Sequence, residues 1–488
     1  MNQAKRPMVW VLAVVLLLVT AGLSEVLRPG YEEYYHAATM RKPGDYTDQY
    51  GSRSVASGTA FQTLLPTFLG VREVIASLMW VRADDYFHRG EYKPILTMIH
   101  EITAIDPHQL DVYATGAWHM AYNFMDKRLI EDGVRFLEEG CRNNQEVYDL
   151  FFERGYMHYD KTKDYPAAVV AYRESSTRGQ SSGVDHAPAY VRHQLAHALE
   201  KMGDIDTAVK QWETNVQVST EEAKTMKNDF GPMSPNLSAA YHNLYITERR
   251  RNERMATLAE TAGNRAEALR LRQANVALAE QWMKENRADA NIRKDRDEQM
   301  VQVERLQKGK LNPAPPTDLD LHFTVTRVSP RLLEIAGTIN ALDLSRIHIQ
   351  FQDKDYDAIR NRGLDYKMAN GSLEWDDTSI RQGKFDYKLK LNRDPAEMDR
   401  PPSDIYPLKS DQYLLTLTYD PRKQAAFIQD RYGWNGEGLT AKGDMLKTDD
   451  TKAGVMYGKR FPLRTVEKSI VLSKADITDT GTKVLYKQ

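Results

Sequence analysis

The chain has 488 residues and a mass of 55.9 kDa, enough for about three domains at roughly 150 residues each. It is 41% hydrophobic and 27% charged, with a mean hydropathy of -0.59, which excludes a polytopic membrane protein, a wholly disordered chain and a collagen-like fibre. The 66 basic and 68 acidic residues leave a net charge of -2, so no global basic field points to nucleic acid. Cys141 stands alone. It can form neither an intrachain disulfide nor a Cys-based metal site.

Lys5 and Arg6 precede an uncharged, mostly apolar run from Met8 to Leu23, which Glu25 and Arg28 close. A cleaved signal has an apolar core of about 7–15 residues and an A-x-A-like site; a spanning helix wants roughly 17–25 residues. The run falls between the two. Val19-Thr20-Ala21 is a weak cleavage site, but Leu23, Val26 and Leu27 carry the apolar face past it. Residues 1–28 therefore read as a transmembrane signal anchor, with a cleaved signal as the alternative and a buried soluble helix as the third reading. The positive flank stays in the cytoplasm and the bulk of the chain is exported. This places a single-pass protein in the cell membrane. Residues 29–60 mix Gly, Ser, Tyr and charge without periodicity and read as a tether.

From Phe61 to about Lys310 the apolar spacing is helical almost throughout. Within residues 61–234, Ala83, Tyr86, Gly90, Tyr92 and Pro107 run in the order small, aromatic, turn glycine, aromatic, terminal proline, and Ile95, Ile99 and Ile102 supply an apolar face. Similar spacing returns at Tyr156, Tyr159, Tyr165, Ala168 and Tyr172, and again at Ala196, Leu199, Gly203, Ala208 and Trp212. A looser copy spans Asp111 to Cys141. Over about Leu78 to Gln217 the chain resembles the tetratricopeptide repeat family. It departs from the pattern at Met79, where the family has tryptophan and this chain has Trp80 one place later.

The resemblance implies an α-helical solenoid with a concave groove that takes a protein or peptide partner. Carrying the family's groove positions over by register gives Trp80, Asp84, Phe87 and His88 from the first unit and Asp111, Trp118 and Tyr122 from the second. The third contributes Glu153, Met157 and Asp160, and the fourth Tyr190, His193 and His197. Aromatic and acidic residues recur among them, a composition suited to peptide anchors and basic side chains. Trp80, Phe87 and Trp118 read equally well as core within the array. Residues 235–310 read as a long helical hairpin that caps the array, turning at Gly263. The run Arg249 to Arg254, interleaved with Glu253, reads as a solvated helix face, with an anionic-partner patch as the alternative.

Residues 311–317, with Pro313, Pro315 and Pro316, form a stiff linker. Beyond it the period becomes two: Leu321, Phe323 and Val325 alternate, as do Ile347, Ile349 and Phe351, then Phe385, Tyr387, Leu389 and Leu391, then Leu415, Leu417 and Tyr419. Residues 318–440 are thus expected to form an antiparallel β-sandwich that folds independently of the helices. The segments GTINALDLSRIHIQFQD, GKFDYKLKL and YPLKSDQYLLTLTYDP resemble fibronectin-like and carboxypeptidase-regulatory-like sandwiches of exported bacterial proteins, although Asp411 stands where those carry glycine. Residues 441–488 read as a polar, weakly patterned tail.

Three motifs invite chemistry and each has a plainer reading. His193 and His197 share a helix face, but Gln194 stands where a zincin has its glutamate, so they read as surface or groove histidines. Asp353, Asp355 and Asp357 open like a calcium loop, yet Ala358 and Leu364 occupy the required glycine and glutamate places. Gly433, Gly436 and Gly438 in YGWNGEG read as a tight turn that exposes Tyr432 and Trp434. No cofactor, metal or nucleic-acid site is expected. The sequence points to a non-enzymatic, membrane-anchored scaffold of the bacterial envelope, with a glycan-associated protein as the alternative.

Overall fold

Small residues at the points of closest helix approach set the architecture of the amino-terminal half. A Cβ on Gly116 would lie 2.8 Å from Phe136 Cε1, and one on Gly155 would lie 2.6 Å from Tyr172 Cδ1, so neither position accepts a side chain without repacking. The computed structural model describes residues 72–123, 128–225, 234–285, 290–311, 317–354, 372–391, 408 and 410–488. The expected anchor, the tether, the linker prolines, Asp355 and Asp357 lie outside the described residues. Among the described residues no helix is long and apolar enough to cross a membrane.

The chain divides into two compact units. Residues 72–162 and 170–187 belong to the first; residues 163–169, 188–354 and 372–488 belong to the second. In the first unit, helices α1 (Arg72–His88), α2 (Tyr92–Ile105), α3 (Leu110–Trp118), α4 (Arg128–Asn143) and α5 (Asp149–Met157) are followed by the later part of α6 (Tyr165–Ser176). Ile95, Ile99 and Ile102 of α2 pack with Tyr113 and Ala117 of α3, Phe136 and Leu137 of α4, and Leu150 of α5 in one core. Gly90 makes the first turn at φ +72, a conformation that costs glycine little. Beyond their ordinary turns, α3 and α5 each widen into a single π-helical turn, His119–Asn123 and His158–Thr162.

The second unit opens with α7 (Ala189–Met202) and α8 (Ile205–Thr225), joined at Gly203 in the left-handed conformation. Residues 235–310, expected as a two-helix hairpin, are three helices: α9 (Pro235–Thr261), α10 (Arg265–Glu285) and α11 (Ala290–Gln307). Ser234 caps α9 by accepting the Leu237 N–H.

Nine of the strands that follow form two antiparallel sheets. These are β2 (Leu321–Ser329), β3 (Leu332–Ile339), β4 (Arg346–Asp353), β5 (Ser372–Ser379), β6 (Lys384–Lys390), β7 (Gln412–Tyr419), β9 (Leu446–Met456), β10 (Lys459–Ser473) and β11 (Lys483–Lys487). The orders are β5-β4-β7-β10-β9 and β11-β2-β3-β6, and a short parallel pair joins β1 (Thr317–Leu319) to β8 (Leu439–Ala441). Phe323, Val325, Leu333 and Ile335 of one sheet face Ile347, Ile349, Leu415 and Leu417 of the other across a single core. A helical repeat-like region followed by antiparallel sheets is therefore the architecture.

Four expectations fail here. Residues 441–488 are not a tail: β10 lies between β7 and β9, and β11 pairs with β2. An irregularity between Phe461 and Leu463 breaks the period of β10, which hides the strand from an alternation count. Nor does the sandwich stand apart from the helices that precede it. Ile205, Val209, Met255, Ala256 and Leu271 form one buried cluster with Trp434 and Met456. Around it, Arg254 Nε donates to Glu437 Oε1 at 3.0 Å, and Arg250 Nε donates to Asp430 Oδ1 at 2.7 Å. The Asp206 carboxylate accepts the backbone N–H groups of Tyr457 and Gly458, both at 2.8 Å. The arginine run is thus not a solvated face: Arg250 and Arg254 are each only 8% exposed at the side chain. The YGWNGEG segment also turns tightly, at Gly433 and Gly436, but it buries Tyr432 and Trp434 instead of exposing them.

Residues 188–488 expressed as one piece should melt in a single cooperative transition. A piece beginning at residue 317 should melt lower, with red-shifted Trp434 emission, because the ring loses the cover of Met255 and Leu271. Equal melting temperatures and an unshifted spectrum would contradict the docking.

Candidate functional site

In the first unit the two π-helical turns bring together side chains from three helices. Phe87 near the end of α1 packs against His119, ring centroids 4.9 Å apart, and meets His88 edge-on at 5.5 Å. Trp118 at the end of α3 stacks on Tyr122 at 5.3 Å and 18°. The Tyr122 hydroxyl donates to Asp160 Oδ2 at 2.7 Å, and the Lys161 ammonium sits 3.5 Å from the centre of the Tyr122 ring. The result is a run of rings from Phe87 to Tyr122, ending on an acid and a base from the second π turn.

The environment is only half wet. Burial lowers the His119 pKa, against a smaller opposing pull from Asp84, and Asn123 Nδ2 lies 2.6 Å from His119 Nδ1. Burial, then the Asp160 hydrogen bond, raises the Tyr122 phenol. Trp118 nevertheless keeps 43% of its surface exposed and Tyr156 39%, so aromatic area remains open to a partner.

Of the groove residues expected in this unit, Phe87, His88, Trp118, Tyr122 and Asp160 come together and Asp84 flanks them. Asp111 is exposed on α3, and Glu153 is half-buried, its pKa raised by burial and by Asp149. Trp80 packs partly against the core. Met157 is a correction: it is 4% exposed and belongs to the core, on the inward face of the last turn of α5. His119, Asn123 and Lys161 were missed. They sit in π turns, which have no periodic signature in sequence.

The second unit holds the remaining three expected residues. Tyr190 is 45% exposed. His193 and His197 flank the buried Trp212 ring at 5.3 and 5.0 Å. Trp212 Nε1 donates to Glu200 Oε1 at 2.8 Å, Thr247 Oγ1 donates to the same oxygen at 3.1 Å, and Arg250 Nη1 lies 3.8 Å from Oε2. Burial opposes ionisation of Glu200, but His197, Trp212 and Arg250 together outweigh it and lower the pKa. The two histidines thus belong to a packed network around Trp212. Cys141 is buried, and desolvation pushes its thiol up to about 12, a poor nucleophile at neutral pH. Among the described residues no group of three His, Cys, Asp or Glu side chains could hold a metal ion.

No family model matches the chain, and no curated protein matches it. Among solved structures it is similar to MamA at 15% identity over 41% of this chain and 96% of that one, with a TM-score of 0.24. It is similar to a thermophilic TPR protein of Thermus thermophilus at 15% identity over 38% and 96%, with a TM-score of 0.24. The TPR domain of P58(IPK) is 11% identical over 51% and 96%, with a TM-score of 0.16.

His193 gives a pH prediction. Burial, then His197 and Arg192, lowers its pKa from 6.5 to about 4 in the folded chain. The unfolded chain therefore binds more protons between those values, and stability should fall as the pH drops from about 6.5 to about 4. Denaturant unfolding across this window should show the loss, and His193→Gln should flatten it. An unchanged slope in the variant would contradict the assignment.

Proposed function

We propose that the protein is a non-enzymatic, membrane-anchored scaffold of the bacterial envelope that binds a protein partner on the aromatic face of α1, α3 and α5. The observation that carries this reading is the cluster of Phe87, Trp118, Tyr122 and Asp160, contributed by the carboxy-terminal ends of alternate helices. Exposed aromatic rings beside carboxylates suit an extended segment with apolar anchors and basic side chains. Lys161 over the Tyr122 ring already illustrates how such a face takes an ammonium. The anchor rests on the apolar run from Met8 to Leu23, and export follows from its positive flank. A glycan site on the sandwich would need tyrosine and tryptophan rings clustered on one face; Tyr413, Tyr419, Tyr432 and Trp434 are buried, and Tyr457 keeps 38% of its surface exposed.

A photo-crosslinking residue at position 118, activated in intact membranes, should capture a discrete protein partner. Trp118→Ala should weaken binding of the purified partner about 30-fold, as truncation of an anchor worth about 2 kcal/mol does. Capture of no discrete partner, or affinity indifferent to Trp118→Ala, would overturn the reading.

A further inference from the structure

Within the second unit, α9, α10 and the segment that begins at α12 (Ala426–Tyr432) enclose a cavity of about 200 Å³. Arg250, Glu253, Arg254, Arg272, Asp430 and Trp434 line it. The three guanidiniums are 8–11% exposed, and Trp434 is 4% exposed.

Most of the polar atoms around this cavity are committed. Arg250 pairs with Asp430 at 2.6 Å, with Glu200 3.8 Å from its other nitrogen. Arg254 donates through Nε to Glu437. Arg272 donates through Nη1 to Gln299 Oε1 at 3.1 Å, with Glu253 and Glu260 at 3.8 and 3.9 Å. Among the described residues, Arg272 Nε and Trp434 Nε1 are buried lining atoms with neither a hydrogen bond nor an ion pair of their own. Both are N–H donors. Native proteins rarely leave such groups without an acceptor. Arg250 lies over the indole face, 4.7 Å from the ring centre.

We propose that this cavity is a binding site for a small oxyanion, a phosphate or carboxylate group, that accepts from Arg272 Nε–H and Trp434 Nε1–H. With the guanidinium charges already met by carboxylates, what the site offers an anion is two N–H donors for its oxygens. A ligand there touches helices α9 and α10 and the Trp434 segment at once, so binding stabilises the whole second unit by mass action.

The test is thermal unfolding of the full chain titrated with inorganic phosphate or with succinate, against chloride at matched ionic strength. The expected result is a saturable rise in Tm with at least one of the two; which one distinguishes a phosphate site from a carboxylate site. Trp434→Phe keeps the ring and removes one donor, and should weaken the anion about tenfold, the loss expected for a hydrogen bond to a charged group. Should that variant fail to fold, Arg272→Lys keeps the charge and removes the Nε donor, and phosphorus-31 line broadening reads its binding. A Tm that rises no more than with chloride, or anion affinity undiminished by the variant that folds, would overturn the proposal and leave the cavity to water.

Discussion

A guanidinium withdrawn from water must find an anion, and leaving a buried one unpaired costs several kcal/mol. That constraint governs residues 188–488. Helix α9 buries Arg250 and Arg254, and the carboxylates that meet them, Asp430 and Glu437, come from the chain just beyond β7. The apolar cluster around Trp434 and Met456 fills the space beside these pairs. Charge neutralisation thus fixes where the segment lies, and burial of the ring makes the position favourable. The turn between β9 and β10 is held separately, by hydrogen bonds of Tyr457 and Gly458 to Asp206 of α8.

In the first unit the organising constraint is steric. Glycines at positions 116, 140 and 155 let helices approach until only a hydrogen fits between a backbone and a facing ring. The ends of α3 and α5 then widen by one residue per turn. Widening at the same place in alternate helices brings Tyr122 against Asp160 and Lys161, so one departure from regular geometry, repeated, builds the aromatic face.

The helices were legible because their apolar spacing repeats over three turns or more and glycine marks their ends, as at Gly90, Gly203 and Gly263. The early strands β2, β4, β6 and β7 were legible because they alternate cleanly into a two-sided core. Strand β10 was not, since its irregularity and its lysines and threonines blur the period. The arginine run was misread for a different reason: its partners are some 180 residues away, as with Arg250 and Asp430, beyond any local pattern. At the candidate site, Phe87, Trp118, Tyr122 and Asp160 followed from repeat register. Met157 was placed wrongly because its side chain faces the core from a regular helix, where register alone does not separate groove from core; His119 and Lys161 were missed because register assumes regular helices and they sit in π turns.

The central claim, that helices and sheets of the second unit are one cooperative structure held by buried charge pairs, is tested most directly by a double-mutant cycle. Arg254 and Glu437 are the pair to use, since both side chains are under a tenth exposed. Unfolding free energies of wild type, Arg254→Met, Glu437→Gln and the double variant should give a coupling of at least about 1 kcal/mol, within the range of contacting residues. Strict additivity would contradict the claim, because it would mean that the two residues unfold without reference to each other.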